Sequence, residues 1–108
     1  MKIPVPHPPS SCKKDLKDTF GKLRYDLVPP EWIEAMAEVM SYGAQKYDDN
    51  NWRSGVASNY EAALMRHFQA WRMGEDIDPE SHLPHLAHAL ANIGILITLT
   101  AKEGRNGG

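Results

Sequence analysis

The sequence predicts an all-α fold, on three observations. Apolar residues recur in steps of three and four in three separate segments. No segment alternates convincingly with the two-residue period of a half-buried strand. The segments are divided by Pro, Gly, Asn and Asp, the residues that end helices and make turns. A chain of 108 residues fits one domain. So small a domain covers its apolar surface incompletely, so a helical bundle assembled between subunits is expected.

Four of the eight prolines fall in residues 1–12, and residues 1–19 are expected to be a flexible segment. The folded domain is expected over 20–103, with 104–108 a frayed end. The first helix follows Val28-Pro29-Pro30, because proline suits a helix's first turn. Ile33, Met36, Ala37, Met40, Ala44 and Tyr47 form its apolar stripe, and Glu31, Glu34 and Glu38 share another face. The helix should stop near Tyr47, where DDNN is turn chemistry. Ser58 and Glu61 have capping-box spacing for the start of a second helix. Tyr60, Leu64, Phe68 and Trp71 are its stripe, and Gly74 is suited to end it in a left-handed turn. A third helix should begin between Ser81 and Pro84. It is apolar on two sides: Leu83, Leu86, Ala87, Leu90, Gly94 and Ile97 on one, and Ile95, Leu96 and Leu99 on the other. His85, His88 and Asn92 lie on that second side, so they are expected to enter a core and to need partners there.

Composition narrows the function classes. Twelve Lys+Arg against 14 Asp+Glu give a formal charge of −2, which supplies no general field for nucleic acid or an anionic membrane. No apolar run approaches the ~18 residues of a membrane span. The opening MKIPVPHPPSSC has prolines where a secretory leader needs an apolar run. One cysteine, Cys12, leaves no intrachain disulfide. A cytoplasmic location is expected, without nucleic-acid or membrane partners. There is no G-x-x-x-x-G-K-[ST] loop, no H-E-x-x-H helix and no G-x-S-x-G elbow.

Several clusters could carry chemistry, and each has an ordinary structural alternative. Glu34 and Glu38, four apart, can converge on a divalent ion or simply form a solvated acidic face. Glu75 and Asp78 can bind metal or cap the third helix. His85 and His88 can ligate metal, contact phosphate or be satisfied core histidines. Arg66-His67 on the second helix is similarly open. Lys46 and Trp52 can serve a phosphate and a base, or belong to an anchored surface loop. Lys22 and Arg24 are further phosphate candidates.

The runs KLRYDLVPP, YGAQKYDDNNW and ALMRHFQAWRMGEDIDPESHLPHLAHALANI, in that order, resemble the phage dATP/dGTP diphosphohydrolases. These are MazG-like members of the all-α nucleoside triphosphate pyrophosphohydrolases, some from phages with 2-aminoadenine in their DNA. The resemblance implies hydrolysis of a purine deoxynucleoside triphosphate to monophosphate and pyrophosphate, with Mg²⁺ as cofactor and Mn²⁺ able to substitute. It implies Glu34, Glu38 and Asp78 as metal ligands, with Glu75 and His85 beside them, and Glu34 or Glu38 as the catalytic carboxylate. His85-x-x-His88 stands where the broader pattern has E-x-x-D. Lys22, Arg24, Lys46, Asn51, Trp52, Arg66, His88 and Asn92 are the expected substrate contacts, and a homodimer or homotetramer the expected assembly. The alternatives are a house-cleaning hydrolase of noncanonical or pyrimidine triphosphates, or a helical interaction module without activity.

Overall fold

The computed structural model describes residues 21–102, with the side chain of Lys102 left aside. The expected flexible segment 1–19, Cys12 and the expected frayed end lie outside the described residues. The chain divides into a unit ending at Pro30 and a unit running from Glu31. In the first, Tyr25–Leu27 forms a single 3-10 turn, and Arg24 closes an exposed ion pair on Asp26 at 2.8 Å.

Three α-helices follow: α1 (Pro30–Lys46), α2 (Ala57–Arg72) and α3 (His85–Lys102), with a 3-10 turn at Asn51–Ser54. The described residues contain no strand, only an isolated antiparallel bridge between Ile77 and Pro84. The all-α expectation holds. Pro30 opens α1, where its missing N–H is not needed. The capping box at Ser58 and Glu61 does not form. The helix begins two residues earlier, after Val56, whose carbonyl accepts from the Asn59 N–H at 2.9 Å, and no side chain caps it. Ser58 therefore already has helical backbone and cannot act as the cap. Gly55, just before this start, lies under the Tyr60 ring: a Cβ there would meet Tyr60 at 2.6 Å.

The core sits on α3. Ala87, Ala89, Ala91, Ile95 and Leu99 are buried, together with His85, His88 and Asn92. No residue of α1 or α2 is buried to that degree. The small alanines let α2 pack closely along α3, which is the main helix contact. Burying Ile95 and Leu99 contributes about 1.5–3 kcal/mol each. α1 approaches through Met36, set against Gly94, and through Tyr42, whose ring meets His88 edge-on at 6.3 Å. The histidine side of α3 is thus covered within the chain. The other predicted stripe is only partly open: Ala87 is buried and Gly94 faces Met36, whereas Leu86 and Ile97 are exposed, Ile97 at 64%, as are Ile93 beside them and Trp32 and Ile33 on α1.

Candidate active site

The site is built from the loop between α2 and α3. After α2, Gly74 has φ 102°, a conformation that favours glycine. Its N–H bonds the Trp71 carbonyl at 3.0 Å, and the Glu75 N–H bonds the Ala70 carbonyl at 3.0 Å, completing a Schellman turn. This turn delivers Glu75 to α3, where Oε1 lies 2.8 Å from Nε2 of His85. The loop then folds on itself. The Asp78 N–H bonds the Leu83 carbonyl at 2.8 Å, and the His85 N–H bonds the Asp76 carbonyl at 2.8 Å.

Asp78 organises the second half of this loop. Its Oδ2 accepts from the Ser81 N–H at 3.0 Å and from the Ser81 hydroxyl at 2.8 Å. The Ser81 oxygen in turn lies 2.7 Å from Nε2 of His88. An ionised carboxylate only accepts, so Ser81 gives its hydrogen to Asp78 and must accept from His88. That fixes the proton of His88 on Nε2 and leaves Nδ1 as a bare lone pair. By the same logic the Glu75 carboxylate accepts the Nε2 hydrogen of His85. Burial tends to raise Asp78, but the hydrogen bonds from Ser81 and the backbone of Glu80 outweigh it and hold the carboxyl below its ordinary value.

His67 of α2 completes the cluster. Its Nδ1 lies 2.8 Å from Nδ1 of His85, and its ring stacks on His88 at 4.3 Å with a 7° tilt. Burial lowers the pKa of His67, and the neighbouring imidazoles His88 and His85 lower it further. Burial also lowers His88, opposed in part by Asp78. Both rings are therefore held toward the neutral form. Asn92 donates to the His88 carbonyl one turn back at 2.8 Å.

These groups open onto a cleft of about 1040 Å³ between α1 and the other helices. Lys46, Asn51, Trp52, Arg66, Asp78, His85, His88 and Asn92, all expected site residues, line it together. Lys46 holds Glu80 at 2.7 Å, an exposed pair that lowers Glu80 and raises Lys46. Arg66 has no ion-pair partner among the described residues. One face of Trp52 carries the Arg53 guanidinium at 4.6 Å. Glu75 reaches the site through His85 rather than by lining the cleft.

Glu34 and Glu38 are exposed on α1 and do not line the cleft. Among the described residues no three His, Cys, Asp or Glu side chains could hold one metal ion. Asp78 is committed to Ser81 and Glu75 to His85. Lys22 and Arg24 belong to the first unit, and Arg24 is paired with Asp26. Sequence reasoning placed Glu80 only in an acidic cluster with Glu75, Asp76 and Asp78, missed Ser81 and Tyr42 as site residues, and left His67 undecided. Each acts through a partner 7 to 38 residues away, which helical spacing does not reveal.

Comparison with known proteins supplies the family context. The family described as "dATP/dGTP diphosphohydrolase, N-terminal" matches residues 13–106. A curated protein named dATP/dGTP diphosphohydrolase, from Salmonella phage PMBT28, is 32% identical over 84 residues, which is 78% of this chain and 29% of that protein. The chain thus spans under a third of that relative's length. No solved structure matches it.

Proposed function

From the premise that the chain belongs to the dATP/dGTP diphosphohydrolase N-terminal family, we propose that it hydrolyses dGTP or dATP to the monophosphate and pyrophosphate. The observation that carries this reading is the cleft, which joins an uncommitted guanidinium, Arg66, to two neutral-leaning imidazoles and an aromatic ring. Arg66 and the remaining donors of Lys46 would hold the β- and γ-phosphates and offset charge as pyrophosphate departs. The free face of Trp52 would stack on the purine, with Asn51 beside its edge. Asn92 would contact the substrate near His88.

In the reaction, a water oxygen bonds to the α-phosphorus and the bond from that phosphorus to the bridging oxygen breaks. The water's proton passes to the bare Nδ1 of His88, which Ser81 and Asp78 hold in the required tautomer. Mg²⁺, or Mn²⁺ in its place, would enter with the triphosphate as its counter-ion, and Glu34, Glu38, Glu75, Asp78 and His85 are its candidate protein ligands.

The open apolar stripes on α1 and α3 support a homodimer or homotetramer. No helix among the described residues is long and apolar enough to cross a membrane. We place the activity in the cytoplasm of an infected cell, supplying dGMP for 2-aminoadenine nucleotides while depleting dATP. Incubation with each deoxynucleotide in turn, with products resolved, tests the reading: purine substrates should give pyrophosphate, and preferential turnover of pyrimidine or noncanonical triphosphates would contradict it.

A further inference from the structure

We propose that the carboxylate of Glu80 occupies a phosphate-binding subsite formed by Lys46 and Tyr42, and that an incoming polyphosphate displaces it. This rests on the reading of the cleft as a triphosphate site, within which Glu80 is a built-in competitor for one phosphate.

Two donors of α1 meet on a single oxygen of Glu80. The Lys46 ammonium donates to Oε2 at 2.7 Å, and the Tyr42 hydroxyl donates to the same atom at 3.3 Å. Tyr42 and Lys46 are four residues apart on α1, so their side chains share one face. A charged and a neutral donor converging on one anionic oxygen would serve a phosphate oxygen equally well. All three side chains line the cleft, as Arg66 does.

The donors keep their places without Glu80. The ammonium lies over the rings of Tyr42 and Tyr47, 5.7 and 5.5 Å from their centres. The Tyr42 ring in turn rests edge-on against buried His88. Glu80 is held loosely by comparison. Its side chain is 66% exposed, and an exposed ion pair is weak and readily screened. Its backbone is anchored separately, because the Asp78 carboxylate accepts the Glu80 N–H. Rotation of the side chain into solvent therefore empties the subsite without moving the loop.

Charge gives the exchange its consequence. Among the described residues lining the cleft, Lys46 and Arg66 supply the only Lys or Arg charge, against the carboxylates of Asp48, Asp49, Asp78 and Glu80. Glu80 thus ties up one of two such cations. An anion that displaces it gains that cation and the Tyr42 hydroxyl together.

Pyrophosphate binding, measured by calorimetry with Mg²⁺ at low ionic strength, tests the exchange without any nucleotide hydrolysis. Glu80→Ala should bind about two- to fivefold more tightly than wild type. Lys46→Met should bind about tenfold or more weakly. Adding Glu80→Ala to Lys46→Met should leave affinity unchanged, because no cation remains to be freed. A gain as large in that background would mean that Glu80 only repels the anion, and would overturn the proposal. Circular dichroism establishes that each variant is folded; should Glu80→Ala not fold, Glu80→Gln takes its place in the same cycle. Unchanged or weaker binding in folded Glu80→Ala, unchanged binding in Lys46→Met, or no binding at millimolar pyrophosphate would also overturn it. The expected pattern in a chain that hydrolyses no deoxynucleotide would uphold the exchange and contradict only the hydrolytic reading.

Discussion

The hydroxyl oxygen of Ser81 lies 2.7 Å from Nε2 of His88, and through it His88 reaches Asp78, whose carboxylate is otherwise 3.6 Å away. Ser81→Ala removes the link and leaves the His88 N–H without a partner in a buried position. A loss of about 1–3 kcal/mol of stability is expected at neutral pH, read by urea denaturation. An unchanged midpoint would mean that the relay holds nothing.

The same relay sets a pH dependence. His88 is lowered from 6.5, so the unfolded chain takes up the proton first as pH falls. Its contribution is complete above about pH 6.5 and declines below it, toward the lower folded value. Asp78 is lowered from 3.8, so its contribution is present above that value and is lost as pH falls through the folded one. Wild-type stability should therefore rise from acid toward neutral pH, in two stages. Ser81→Ala should flatten the acidic stage.

Gly74→Ala should destabilise the chain by about 1–2 kcal/mol, because φ 102° is strained for any residue with a Cβ. Nothing lies within 4 Å of the added Cβ, so conformation rather than collision sets the cost. Glu75 is the next residue, so the His85 resonances should move as well. Thermal denaturation and histidine spectra together check this.

Arg66→Gln should raise KM for a purine triphosphate by about 10–100-fold, the worth of one charged hydrogen bond, while leaving the fold intact. Trp52→Ala should raise KM by an amount matching about 1–3 kcal/mol of stacking. An unfolded variant with normal binding in the recovered fraction would make Trp52 a packing residue.

Glu38→Gln and Glu34→Gln should each change turnover by less than about threefold, under 1 kcal/mol of barrier. Both side chains are exposed outside the cleft. A loss of tenfold or more, measured at saturating Mg²⁺, would return the pair to the metal.

Helical period located α1, α2 and α3 to within a residue or two, and Gly74 announced its own turn. The polar side of α3 was also legible, since His85, His88 and Asn92 share the face of Ile95 and Leu99. Their partners were not. The Ser58 and Glu61 spacing was misleading because Val56 starts the helix first. Glu34 and Glu38 have the spacing of a metal pair, but spacing places them relative to each other, not to Asp78. The closure of Glu75 on His85 and of Ser81 on His88 depends on a loop that bonds mainly to itself. No local period encodes it.

Hydrolysis in ¹⁸O-labelled water tests the central claim most directly. With dGTP or dATP and Mg²⁺, the label should appear in the phosphate of the monophosphate and not in pyrophosphate, because attack falls on the α-phosphorus. Label in pyrophosphate, or release of inorganic phosphate with a nucleoside diphosphate, would contradict the account.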